Sequence, residues 1–218
     1  MIEELIRRTN LKEFYHDCDF KLESYHYKAS KQIFSVTTSI NQISYDHFVE
    51  YEEWKITCVN TESVYGFDFD IMMPYVKMKI LDDHPLLWLY HNDELYCDIS
   101  GTPKDFNQFV YQLVQLLEAE TGGWLAFHDL FRGFMNLIHK GMFTTKIPFS
   151  LAKSLETICE EQNLTFKIIE RSSGEDKGYA NKPNSKLLMF GNSDVSPYEY
   201  NLGQSYVIAD EFTAERIK

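Results

Sequence analysis

Between Phe20 and Ile99 the chain returns an apolar or aromatic residue at every second position, in one short run after another. Side chains alternate across a strand but recur every 3.6 residues along a helix, so this period marks pleated structure. Phe20 and Leu22 alternate with Lys21 and Glu23, and the stretch from Ile33 to Ile40 is rich in β-branched residues. Trp54, Ile56 and Cys58 share one face. In Tyr65-Gly66-Phe67-Asp68-Phe69-Asp70 the rings point one way and the two aspartates the other. Val76, Met78 and Ile80 oppose Tyr75, Lys77 and Lys79, and Leu95, Cys97 and Ile99 oppose Glu94, Tyr96 and Asp98. Runs this close, joined by short polar turns with no long helix between them, predict an antiparallel β-meander over about residues 19–100. The 14 Tyr and 16 Phe favour the same half-buried pleated surface.

Such a sheet needs a cover. Thr102 suits an N-cap, Pro103 the first helical position and Asp105 the third. Behind them Phe106, Phe109, Val110, Leu113, Leu116 and Leu117 form one apolar stripe, closed by Gly122-Gly123. This helix is expected on the apolar side of the meander. Ile2, Leu5, Ile6 and Thr9 predict an earlier amphipathic helix. Downstream, a short helix is expected near Asp129 to His139. Ser150 caps a further one, with Leu151, Leu155, Ile158 and Cys159 as its stripe and Asn163 as a left-handed terminator. Strands follow at Leu164–Ile169, Lys186–Phe190 and Ser205–Ala209, with a polar loop over 172–185 that is expected to be mobile. The fold class is therefore α+β, and 218 residues suit a single domain over 1–218. Along the chain it divides into an acidic, sheet-rich part (19–100), a helical part (103–163) and C-terminal strands (164–210).

No run approaches the roughly 20 apolar residues that cross a bilayer, and Met1-Ile2-Glu3-Glu4-Leu5 lacks the order of a signal peptide. A cytoplasmic protein is expected, with Cys18, Cys58, Cys97 and Cys159 as reduced thiols, since no C-x-x-C pair suggests zinc or redox chemistry. In that compartment Asn163-Leu164-Thr165, which fits the glycosylation pattern, is not used. The net charge of −12 argues against a nucleic-acid or anionic-membrane partner. Its distribution is uneven: residues 41–100 hold twelve acids against three bases.

Several strings resemble chemistry and have plainer explanations. Asp68-Phe69-Asp70 could hold a divalent ion, yet two carboxylates at this spacing are also the wet face of an amphipathic strand, and no nucleotide motif accompanies them. Asp82-Asp83-His84, with His91 and Asp93, collects oxygen and imidazole ligands. Their place before Pro85 and the apolar Leu86–Tyr90 makes them turn residues first. His16-Asp17-Cys18 and His128-Asp129 are sequence neighbours whose side chains diverge. The loop Ser172 to Gly178 lacks the G-K-[ST] ending of a phosphate cradle, and there is no G-x-S-x-G, H-E-x-x-H or G-x-G-x-x-G. The reading leans away from an enzyme and assigns no catalytic, cofactor or metal residue.

What remains is the interleaving of the acids with Tyr45, Tyr51, Trp54, Tyr65, Tyr75, Tyr90 and Tyr96. Carboxylates beside rigid rings grip Lys and Arg by ion pairing and cation–π contact. The expected partner-binding set is Asp68, Asp70, Tyr65, Tyr75, Glu94, Tyr96 and Asp98, and the expected function is a non-catalytic interaction protein for a basic protein partner. In size, acidity and lack of catalytic motifs the chain is similar to small cytosolic immunity proteins that neutralise a toxin domain. The alternative is an enzyme or small-ligand binder whose aromatic-lined pocket lies where the Thr102 helix leaves the sheet, with His84, His91 or His128 converging on the acids.

Overall fold

The period-two runs fold as strands. The computed structural model describes residues 1–12, 14, 18–44, 47–67, 72–73, 77–91, 94–172, 184–191 and 205–218. They form an α+β fold with antiparallel sheets, in two units: Met1–His84 with Asn184–Lys218, and Pro85–Pro183.

In the first unit β1 (Cys18–Lys28), β2 (Ile33–Ser44) and β3 (His47–Val59) make the expected meander. β12 (Glu211–Arg216) adds to the free side of β3, and β5 (Met72–Met73) pairs with Phe20 and Lys21, giving the order β12-β3-β2-β1-β5. A second sheet, β4-β11-β10-β6, combines Ser63–Tyr65, Ser205–Ala209, Lys186–Phe190 and Met78–Leu81. Both sheets turn apolar faces into one core, where Phe20, Phe34, Val36 and Ile56 meet Leu188, Phe190 and Val207. Rings bind the two faces together: Phe67 lies 5.0 Å from Phe34 and 5.4 Å from Phe190, centroid to centroid. Burying one such ring contributes about 2–3 kcal/mol. The chain passes from one sheet to the other at Asp210, whose amide donates to the Val59 carbonyl at 3.1 Å. Its carboxylate accepts from Asn60 Nδ2 at 3.0 Å and from Ser185 Oγ at 3.2 Å. Helix α1 (Ile2–Thr9) buries Ile2 and Leu5 in the same core.

The second unit centres on β7 (Glu94–Ser100), flanked by β8 (Met142–Pro148) and β9 (Thr165–Ser172). Its helices are α2 (Trp88–His91), α3 (Phe106–Thr121), α4 (Phe127–Leu130), α5 (Asn136–Lys140) and α6 (Ala152–Glu161). Leu95, Cys97 and Ile99 meet Phe109, Leu113 and Leu117 of α3 and Leu155 and Cys159 of α6 in one core. The α3 stripe thus covers the last strand of the alternating run. The β1–β3 meander closes its own core in the other unit.

Local readings differ from the structure at several points. The N-cap of α3 is Asp105, not Thr102: its carboxylate accepts from Gln108 N at 3.0 Å. Asp105 itself is extended, and Lys104 N and Asp105 N donate to the main-chain and side-chain oxygens of Gln162. Ser150 makes no cap; it lies in a 3₁₀ turn, Phe149–Leu151, that leads straight into α6. The Asp129–His139 helix is two short ones, α4 and α5, parted at Gly133. The Tyr65–Asp70 strand ends at Tyr65. Gly66 turns there with φ +74, and a Cβ on it would stand 3.2 Å from Ser205 Cα and Oγ. Residues 68–71 and 74–76 lie outside the described residues, as do 173–183 of the expected loop. Three strands fall outside the expected runs: β5, β8 and β12, although Phe143, Thr145 and Ile147 alternate, as do Phe212 and Ala214. Among the described residues no helix is long and apolar enough to cross a membrane.

Candidate functional site

Asp68, Asp70 and Tyr75 of the expected binding set lie outside the described residues. Tyr65 ends β4 in the first unit, half exposed, with its ring stacked on Tyr206 at 5.2 Å. Glu94, Tyr96 and Asp98 share the polar face of β7 in the second unit, because their neighbours Leu95, Cys97 and Ile99 face the core. The structure therefore brings these three together and leaves Tyr65 in another unit. Strand pairing also delivers bases to them: Tyr96 lies opposite Lys146, and Asp98 opposite Lys167. The buried Glu94 carboxylate pairs with the Lys146 ammonium, which lies 5.8 Å from the Tyr96 ring centroid. Asp98 accepts from Thr144 Oγ1 at 2.7 Å. The acid and ring that the sequence offers to a partner here hold a lysine of the same chain.

The histidines of the alternative reading fall in both units: His84 closes one segment of the first, whereas His91 and His128 belong to the second. His84 is buried, and desolvation pushes its pKa down to about 4 against the opposing pull of Asp83. All four cysteines are reduced thiols and buried. Burial pushes Cys58 and Cys159 up to about 12 and Cys97 to about 11, far from the thiolate form that reacts. Among the described residues no three of His, Cys, Asp and Glu are grouped so as to hold a metal ion.

A more continuous acid and ring cluster lies on the outer face of the five-stranded sheet. There the alternation that sends Trp54, Ile56 and Cys58 inward turns Tyr51, Glu53, Lys55 and Thr57 outward. Register sets Glu53 beside Ser39 and Ser39 beside Lys21. A bulge between Leu22 and Ser24 in the β1–β2 ladder places Glu23 where its carboxylate accepts from Ser39 Oγ at 2.6 Å. Lys21 approaches the same carboxylate at 3.5 Å, and Lys55 approaches Glu215 at 3.6 Å. The Tyr51 hydroxyl titrates above the usual phenol range, first through burial and then through the negative charges of Glu53 and Glu23. Over its ring, 5.1 Å from the centroid, sits the ammonium of Lys218. Serine and threonine fill the middle of this face: Thr213 opposes Thr57, and Thr57 opposes Ser35. Tyr51 and Glu53 were visible in the sequence as an acid beside a ring, but Glu23 joins them only through strand register.

The inner face of the same strand carries Glu52. Glu52 accepts from Arg8 Nε at 3.2 Å and from the Trp54 indole at 2.8 Å, and Arg8 Nη2 donates to Gln42 Oε1 at 3.0 Å.

No family model matches the chain. Comparison with curated proteins finds no match. The same comparison with solved structures finds none either.

Proposed function

We propose that the protein is a non-catalytic binding protein that receives a basic segment of a protein partner on the outer face of its five-stranded sheet, around Tyr51, Glu53 and Glu23. The observation that carries this is the Lys218 ammonium over the Tyr51 ring, with Glu53 and Glu23 close by. A cation over a ring whose hydroxyl has carboxylates nearby is the arrangement a lysine or arginine of a partner would adopt. The hydroxyl rows beside it supply donors and acceptors to a polar partner surface. Lys21 and Lys55 on this face are in partly or fully exposed pairs, which are worth little in water and exchange readily. Four buried, reduced thiols suit a reducing compartment, so a cytoplasmic setting accompanies this reading.

The test is the affinity for an oligolysine peptide at low and high salt, with Glu23→Lys/Glu53→Lys beside the wild-type chain. Binding is expected to weaken steeply with ionic strength and to vanish in the double variant. Affinity indifferent to salt, or intact in that variant, rejects the sheet face as the site. A separate Asp68→Lys/Asp70→Lys arm tests the acids expected from the sequence, and a Glu94→Gln/Asp98→Asn arm tests β7. If the loss appears in one of these arms instead, binding lies there.

A further inference from the structure

Lys218 reaches the outer face of the five-stranded sheet from a main chain that is tied down. β12 ends at Arg216, and the chain runs on beside β3: Ile217 N donates to the Glu53 carbonyl at 2.7 Å, and Glu53 N donates to the Lys218 carbonyl at 3.1 Å. Arg216 Nε donates to the same Lys218 oxygen, also at 3.1 Å. These bonds fix the backbone of residue 218 next to Glu53 and leave its long side chain free to turn.

That side chain is exposed, and its ammonium lies 5.1 Å from the centre of the half-buried Tyr51 ring. Lys21 and Lys55 on the same face each pair with a carboxylate, whereas the Lys218 ammonium makes no ion pair among the described residues. The ring is what holds it. A cation–π contact at an exposed site is weak, so the ammonium can leave for water without stranding a buried charge. While it stays, it fills the position over Tyr51 that a partner's cation would take.

We propose that Lys218 is an internal competitor: it occupies the Tyr51 position when no partner is bound, and a lysine or arginine of the partner binds there only as the Lys218 side chain swings away. This rests on the reading of the face as a site for basic segments and adds its regulation. The binding-competent state is the open fraction, so a contact of this kind weakens binding by about three- to sixfold.

The test is oligolysine affinity for the wild-type chain, Lys218→Gln, Lys55→Gln, Tyr51→Leu and Tyr51→Leu/Lys218→Gln, at about 0.15 M salt to screen distant charges. Lys218→Gln leaves the main-chain bonds in place, and Lys55→Gln removes the same charge from the same face without clearing the ring. Lys218→Gln is expected to bind about three- to sixfold tighter than wild type, and Lys55→Gln to stay within about twofold. In the Tyr51→Leu background the Lys218→Gln gain should fall to that of Lys55→Gln. A gain no larger than that of Lys55→Gln overturns the competitor, and so does a gain that survives in full without the ring. Either result, with binding still abolished by Glu23→Lys/Glu53→Lys, leaves the face as the site. Binding absent throughout, or intact in that charge-reversed variant, rejects the face and the competitor together.

Discussion

Glu52 occupies an inward position of β3, beside Trp54, where an apolar side chain would ordinarily complete the core. A carboxylate is tolerated there because Arg8 and the Trp54 indole occupy both of its oxygens. Arg8→Met leaves that charge buried without its counter-ion and is expected to cost about 3 kcal/mol in denaturant melts. Arg8→Met/Glu52→Leu removes both charges and is expected to recover most of the loss; a double variant as unstable as the single one would show that the pair does not govern this site. His84 makes the opposite choice and stays neutral. Its folded pKa lies below the unfolded value of 6.5, so the unfolded chain takes up a proton first as pH falls. Its contribution to stability is complete above about pH 6.5 and is lost on going down towards pH 4, by up to about 3 kcal/mol. Between pH 7 and 4.5 the wild-type chain should therefore lose more stability than His84→Gln. Equal losses would assign the acid sensitivity to other groups.

Helix α3 shows how an element's interior and its ends answer to different forces. Its stripe at Phe109, Leu113, Leu116 and Leu117 is legible in the sequence and buried in the structure, and Gly122 closes it with φ +57 as the Gly-Gly pair suggested. Its start was misplaced by three residues. Thr102 and Asp105 are both good caps by type, and the choice between them rests on Gln162, 57 residues away from Asp105 along the chain, which accepts from the amides of Lys104 and of the extended Asp105. Asp105→Ala is expected to cost about 1 kcal/mol and Thr102→Ala almost nothing, read from urea midpoints. The reverse order would return the cap to Thr102. Strands β8 and β12 were missed for a related reason. Their alternation spans few residues and borders helical or charged stretches, so the pairing with β7 and β3 supplies what local propensity lacks.

At the scale of the molecule, each unit closes its own core and carries its own buried thiols, Cys18 and Cys58 in the first and Cys97 and Cys159 in the second. Thiol-reactive labelling under native conditions should therefore be slow at all four, and along a urea titration each pair should become reactive only as its own core opens, as mass spectrometry of the labelled peptides would report. Fast native labelling of Cys58 or Cys159 would contradict the burial. The sequence by itself determined the α+β class, most strands, the helical stripes and the inward faces, because these depend on periods of 2 and 3.6 that each segment carries alone. Tertiary structure decided which acids and bases meet. Glu94 stands in an acidic stretch and meets Lys146; Glu23 of β1 joins Tyr51 and Glu53 of β3 in one cluster; Arg8 reaches Glu52 across 44 positions. Charge acts through distance in space, and strand register, which sets that distance, is a property of pairs of segments that no single segment contains.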